Sequence, residues 1–370
     1  MSSGPENGPK TTPLYDLHVE LGGKIVDFAG WSLPVHYPAG IMAEHKHCRE
    51  QAGLFDVSHM GQVRLRGADA ASAFERIVPG NIQGLKPGQA RYTQFTDEMG
   101  GTLDDLIASR TEDGLFVVVN AGCRDADIAH MRRHLEPEIE VDELTDQALL
   151  ALQGPAAVDV LAELAPEAPH LKFMQTTEAK VDDIAVRLSR LGYTGEDGFE
   201  ISVAAGDAVD LARRLLGDER VLPIGLGARD SLRLEAGLCL YGHELSEKIT
   251  PIEAGLAWSI GKRRREEGGF PGAEKIQAQL GNGPARTLVG IRPEGRAPAR
   301  EGTEIQDRDG RAIGVVTSGG FGPTVGGPVS MGYVPPSHAK PGTTVMLMVR
   351  GKAHEARIAP LPFVPHRYKR

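Results

Sequence analysis

The sequence predicts an α+β protein that closes on an all-β module. Three observations carry this expectation. Between about residues 60 and 145, strand-like alternation and helix-like spacing follow one another, as in a compact α+β unit. Ala148-Leu149-Leu150-Ala151-Leu152-Gln153 is an apolar run that meets Gly154-Pro155, the pattern of a buried strand feeding a helix. From about Arg286 onward, short alternating runs are parted by turns such as Asp309-Gly310 and Gly351-Lys352, which marks an all-β module. A length of 370 residues suggests two or three domains.

Taken in order, residues 1–12 read as a flexible tail. Leu14 to His18 form a short helical turn, and Lys24 to Phe28 alternate as a strand that ends at Ala29-Gly30-Trp31. Residues 39–53 read as a helix. It carries His45 and His47, whose spacing of two puts them on different faces and speaks against a metal site. Asp56, Ser58 and His59 stand too close in sequence to converge as a hydrolase relay. Val63 and Leu65 alternate with Gln62, Arg64 and Arg66 as a half-buried strand, and a helix follows from about Asp69, a plausible N-cap, to Ile77. Arg91 to Phe95 is a strand that leads into the stretch Gly100 to Asn120. Residues 124–135 form an amphipathic helix. Helices at 155–164 and 207–216 flank a strand from Ala185 to Leu191. Gly225-Leu226-Gly227-Ala228-Arg229-Asp230 imitates a dinucleotide fingerprint, but Asp230 stands where Gly or Ala is needed and Pro223 interrupts the preceding strand. Ala228 to Leu240 reads instead as a helix. Lys262 to Gly269 reads as a charged, solvated linker, and Thr317 to Thr324 as an irregular loop.

Composition narrows the function class. A net charge of −9 argues against a nucleic-acid surface as the main business. Cys48, Cys123 and Cys239 are scattered and odd in number, so neither a disulfide framework nor a zinc motif is indicated, and a reducing compartment fits. No apolar run approaches a membrane span. The first ten residues match neither a secretory signal nor a transit peptide, which gives a cytoplasmic expectation.

The chemistry centres on Gly100 to Asn120. Asp104 and Asp105 are adjacent, so in a strand they point to opposite faces, one inward and one to solvent. An inward carboxylate demands a partner, and a nitrogen-rich ligand is one; a turn-capping aspartate is the other reading. Asn120, Glu200 and Arg229 sit on separate loops. Tyr92, Tyr193, Tyr241 and Tyr368, four of only seven tyrosines, fall beside such polar loops. A carboxylate accepts two hydrogen bonds from an amino–imino edge, and aromatic rings stack on a planar heterocycle. Singly, each tyrosine is equally a core or surface residue.

Five motifs then stand in order: Val26-Asp27-Phe28-Ala29-Gly30-Trp31, Phe55-Asp56-Val57-Ser58-His59-Met60-Gly61, Gly100-Gly101-Thr102-Leu103-Asp104-Asp105-Leu106, Leu191-Gly192-Tyr193-Thr194-Gly195-Glu196-Asp197-Gly198-Phe199-Glu200, and Gly225 to Asp230. With them the chain resembles, from Thr12 to Tyr368, the glycine cleavage system T-protein family of aminomethyltransferases. The resemblance implies a three-domain cloverleaf of the folate-binding type. Its parts would be a split first domain (1–59 and 146–265), an inserted α+β domain (60–145) and a C-terminal β-barrel domain (285–370). It implies tetrahydrofolate as co-substrate with no metal and no flavin, and the lipoyl-bearing H-protein as partner, with neither nucleic acid nor membrane. The implied reaction moves the one-carbon unit of the aminomethyl group on H-protein to tetrahydrofolate, releases ammonia and forms 5,10-methylenetetrahydrofolate. By position, Asp105 is the implied catalytic carboxylate. Glu200 and Arg229 match pterin-side contacts, Asn120, Tyr92, Tyr193 and Tyr241 match pocket walls, and Tyr368 and Met60 match further ligand contacts. Asp105 is expected to act mainly as an electrostatic and orienting group, because a solvated aspartate, with a pKa of about 4, is a weak base. Ser109 and Gly322 depart from the common pattern, which carries tyrosine in some members at the first and serine at the second. Related folate-dependent demethylases, such as that of dimethylsulfoniopropionate, and a non-enzymatic folate-binding module are the alternatives. Gly269-Phe270-Pro271-Gly272 lacks the cysteine of the iron–sulfur assembly factors.

Overall fold

The computed structural model describes residues 8–67 and 69–370. Among the described residues the strands form four sheets. The central one is six-stranded, in the order Gln175–Val181, Ile184–Arg190, Gly198–Ala204, Gln147–Gln153, Ala52–Asp56, Val221–Pro223. A five-stranded antiparallel sheet takes all its strands from residues 61–143, in the order Ala90–Thr96, Thr102–Arg110, Gly114–Val119, Gly61–Arg66, Glu140–Glu143. Thr287–Pro293, Gly327–Val334, Ala312–Gly322, Glu304–Gln306, Thr344–Val349 and Lys352–Ala359 close into a six-stranded barrel. A small sheet joins Lys10–Thr11, Trp31–His36 and Lys24–Phe28. The α+β class and the C-terminal barrel agree with the sequence pattern.

The strand Gly114–Val119 is buried at every position, as its unbroken apolar run requires. Its alternate residues serve two cores. Val117 and Val119 pack inside the five-stranded unit with Phe74 and Phe95. Phe116 and Val118 face the central sheet and pack with Phe55 and Leu149. Each such buried side chain contributes roughly 1.5–3 kcal/mol, so the two sheets are held in fixed register. Leu234 of the helix Leu226–Glu235 packs on Val329 and Met331 of the barrel, tying the third unit to the same frame.

Several expectations are corrected. Residues 1–7 lie outside the described residues, but Lys10–Thr11 is not tail: it pairs in parallel with Trp31 and Ser32. The helix expected over 39–53 is Ile41–Glu50, because Ala52–Asp56 is claimed by the central sheet. The helix expected over 155–164 is Ala157–Ala162, and that expected over 228–240 is Leu226–Glu235. Asp69 stands at the N-cap of Ala70–Glu75, yet its side chain makes no capping hydrogen bond. Lys262 to Gly269 is no solvated linker. Lys262–Glu267 is helical, and Arg264 is buried, donating to the carbonyls of Glu75, Val78 and Gly269. Thr317 to Gly322 continues a barrel strand rather than looping. Gly319 permits this, since a Cβ there would lie 1.9 Å from the Ala299 carbonyl oxygen.

Candidate active site

The strand Thr102–Arg110 organises the site. It begins at a tight turn in which Gly100 has φ +79° and the Gly101 amide donates to Asp97 at 2.8 Å. Gly101 also lets another segment approach: a Cβ there would lie 1.9 Å from the Glu247 carbonyl oxygen, and Thr102 donates its amide to the Ile249 carbonyl at 2.9 Å.

Alternation then sorts the carboxylates. Asp105, Ile107 and Ser109 share one face. Ile107 and Ser109 line a small hollow, partly open to solvent, together with Glu200, Arg187, Leu191 and Ser202. Tyr92, on the neighbouring strand opposite Ile107, donates its hydroxyl to Asp105 Oδ2 at 2.9 Å. Asn120 Nδ2 donates to Asp105 Oδ1 at 2.9 Å. Burial, and then the charge of Asp104, lift the Asp105 carboxyl to about 7. That lifts its basicity above that of the solvated aspartate used as the reference. Asp104 does point to the opposite face, but that face is not solvent. It is completely buried, accepts from Asn120 Nδ2 at 2.9 Å, and lies beside Asp127 of the helix Arg124–Leu135.

Glu200 and Arg229 come from two elements and sense each other's charge without forming an ion pair. Glu200 sits mid-strand in Gly198–Ala204, opposite Ala151 and Ser189. Burial raises its carboxyl to about 7, against the pull of the Arg229 charge. Arg229 lies in the first turn of Leu226–Glu235, where Gly225 lets the strand Trp31–His36 come close: a Cβ at Gly225 would sit 2.6 Å from the Val35 carbonyl. That close approach accounts for the glycine in the fingerprint-like run. The Arg229 guanidinium covers the Tyr193 ring at 4.9 Å, borders a second small hollow with Phe55 and Asp56, and keeps Nη1 buried without a partner. The Tyr193 hydroxyl donates to the Cys239 carbonyl and feels the charges of both Asp105 and Arg229. Asp105, Tyr92, Asn120, Tyr193, Arg229 and Glu200 thus form one connected set.

The remaining candidates lie further out. Met60 packs half-buried on the cluster of Phe55, Phe116 and Leu149. Tyr241 packs on the cluster of Cys239 and Leu245 that also takes Tyr92, in the field of Cys123 and Asp104. Tyr368 stacks on Phe173 at 4.1 Å and tilts against His366; among the described residues its aromatic partners are these two. His45 is fully enclosed by Ser231, Glu235 and Thr324. Asp56 accepts from Thr12 and His18 rather than from His59, so no hydrolase relay forms.

Two neighbours of the set escaped the sequence reading. Trp258, 63% exposed, stacks on Tyr92 at 5.5 Å, and nothing local in the sequence marks it. Asp127 has a visible signal: with Met131 and Leu135 it occupies the buried stripe of its helix at i, i+4 and i+8.

Comparison with known proteins settles the family. The GCVT N-terminal domain profile matches residues 14–264, and the glycine cleavage T-protein C-terminal barrel domain profile matches residues 286–365. The mitochondrial aminomethyltransferase of Flaveria trinervia is 47% identical over 97% of this chain and 90% of its own length. That of Gallus gallus is 48% identical over all of this chain and 95% of its own. The crystal structure of glycine cleavage system aminomethyltransferase T from Bartonella henselae superposes with a TM-score of 0.92 at 46% identity, covering 98% of this chain and 99% of that one. The chain belongs to the glycine cleavage T-protein family. Within that family the fold of this member is the α+β cloverleaf with a closed C-terminal barrel. The family's folate substrate also fits the donor set. The buried Glu200 carboxyl offers an acceptor, the partnerless Arg229 Nη1 a donor, and Tyr92 and Tyr193 flat faces, a set that suits a planar ring system edged with both donors and acceptors.

Proposed function

We propose that this T-protein family member transfers the one-carbon unit of the aminomethyl group on lipoyl H-protein to tetrahydrofolate, releasing ammonia and forming 5,10-methylenetetrahydrofolate. The observation that carries the reading is the single strand face on which Asp105 stands in line with Ile107 and Ser109, the residues that wall the Glu200 hollow. The folate substrate supplies the nitrogen nucleophiles of the transfer.

The chain's own groups do the rest. Tyr92 and Asn120 fix the two oxygens of Asp105, and each oxygen keeps acceptor capacity for the substrate. Ionised, Asp105 opposes the positive charge that grows on the carbon as ammonia leaves. With its carboxyl poised at about 7 it is also suited to take up a proton at neutral pH, so a general-base role joins the orienting one. Glu200 accepts hydrogen bonds from the ring edge, Arg229 balances that charge, and Tyr193 supplies a wall. Met60, Tyr241 and Tyr368 serve as peripheral contacts. The working division is 1–59 with 146–265, 60–145, and 285–370. The three free cysteines suit a reducing compartment, which we take to be the cytoplasm; the relatives cited are named mitochondrial, an equally reducing setting, and cell fractionation with an antibody to the chain distinguishes the two.

The test is ammonia release from aminomethylated H-protein by the purified chain. Release that depends on tetrahydrofolate supports the reading. No release with H-protein, or folate-dependent demethylation of dimethylsulfoniopropionate instead, overturns it.

A further inference from the structure

We propose that Asp127 is a positioning residue for the transfer step: as a neutral carboxylic acid it donates its proton to Asp104, and Asp104 in turn anchors the Asn120 amide that aligns Asp105. This inference rests on the reading of Asp105 as the acting carboxylate.

The geometry is a line of polar groups running back from the hollow. Tyr92 O–H donates to Asp105 Oδ2. The Asn120 amide nitrogen lies 2.9 Å from Asp105 Oδ1, 3.0 Å from the Asp105 carbonyl and 2.9 Å from Asp104 Oδ1. Two amide hydrogens therefore serve three acceptors, and the backbone N–H of Asn120 adds a longer contact of 3.3 Å to Asp104 Oδ2. Asn120 is thus held from the Asp104 side as firmly as from the Asp105 side. Behind Asp104 stands Asp127, within side-chain hydrogen-bonding reach and 3% exposed.

Three carboxyl groups in one buried line cannot all be ionised. No cation relieves them from the Asp127 side: Arg124, one turn earlier, is bound to Glu143 at 3.0 and 2.8 Å. The groups facing Asp104 are Asn120, Cys123, Tyr241 and Asp127; those facing Asp105 are Tyr92, Asn120, Tyr193, Cys239 and Asp104. One oxygen of Asp127 is buried with no hydrogen-bond partner. An ionised Asp127 would leave charge on that oxygen with nothing to receive it. A protonated Asp127 removes that charge and can turn its O–H to the neighbouring Asp104. Burial and the Asp104 charge push the Asp127 carboxyl up to about 10, in the same direction.

The test compares Asp127→Asn with Asp127→Ala. Asparagine keeps a neutral donor that can reach Asp104; alanine does not. Asp127→Asn is expected to hold kcat within about threefold and to leave its acidic pH limb in place. Asp127→Ala is expected to lower kcat roughly ten- to hundredfold with little change in the folate KM, as for a reacting group held about 1 Å out of place. It is also expected to move the acidic limb toward lower pH, because Asp104 then takes up a proton itself and no longer opposes ionisation of Asp105. A readout independent of turnover is the infrared carbonyl stretch of a protonated carboxyl group in the substrate-free protein at pH 8, present in wild type and absent in Asp127→Asn. Loss of turnover by Asp127→Asn equal to that of Asp127→Ala in a folded protein, or no such band in wild type, overturns the proposal. If Asp105→Asn keeps wild-type turnover, the function reading falls, while the infrared band still decides the protonation of Asp127.

Discussion

Replacing Glu200 with glutamine should stabilise the protein while removing its grip on the folate substrate. Glu200 is 8% exposed, and burial lifts its carboxyl from the ordinary 4.5 to about 7 despite Arg229. A native carboxyl that holds its proton more tightly than the unfolded chain favours folding fully below about 4.5, and that contribution is lost as pH rises through about 7. The rise of about 2.5 corresponds to roughly 3 kcal/mol at most, at 1.36 kcal/mol per unit. Glutamine has the shape of the protonated acid and never ionises, so Glu200→Gln should match wild type near pH 4.5 and exceed it by about 1–3 kcal/mol at pH 8. Thermal melts of the two proteins at both pH values read this directly as a gap of a few degrees that opens with pH. Titration of tetrahydrofolate against intrinsic fluorescence should show the variant's binding weakened. A variant that melts at or below wild type at pH 8, or a gap equally wide at both pH values, would refute the burial argument.

Asp105→Asn should retain the fold and lower kcat by about a hundredfold or more, the scale of a lost acid–base or charge-stabilising group; near-normal turnover would refute its role. In wild type, kcat should rise with pH along a limb centred near 7, as Asp105 sheds its proton, and a limb near 4 would show that burial does not act on it as the geometry implies. Arg264→Ala should cost about 3 kcal/mol of stability, since it strands the Glu75, Val78 and Gly269 carbonyls in a buried seam; chemical denaturation measures it. Gly101→Ala should weaken both folding and turnover, because the added carbon collides with the Glu247 carbonyl at 1.9 Å and displaces the strand that carries Asp105.

What the sequence displayed was periodicity, and periodicity is local. The strand Gly114–Val119, the helix Arg124–Leu135 and the barrel turns were legible because neighbours in the chain encode them. The opposite facing of Asp104 and Asp105 was legible for the same reason. What lies on each face was not, because the helix that roofs Asp104 is a tertiary neighbour. Arg264 shows the same limit: six adjacent charged side chains look solvated until Glu75, far away in sequence, supplies acceptors. The rise of the Asp105 carboxyl was out of reach too, since it needs the burial supplied by the assembled units. Asp127 is the instructive miss, a carboxylate in line with Met131 and Leu135 that a stricter reading of helical spacing would have flagged.

The place where the five-stranded unit leaves the central sheet has a bearing on how the chain folds. Asp56 and Leu150 stand opposite each other on adjacent antiparallel strands, and everything from 57 to 149 departs and returns between them. At the neck, Leu144 donates its amide to the Gln62 carbonyl at 2.9 Å. Before that unit forms, pairing Ala52–Asp56 with Gln147–Gln153 means closing a long, floppy loop; afterwards the same pairing is as near as a hairpin. The excursion can therefore serve as a splint, and weakening the inserted unit is expected to slow closure of the host sheet, measurable as slower refolding.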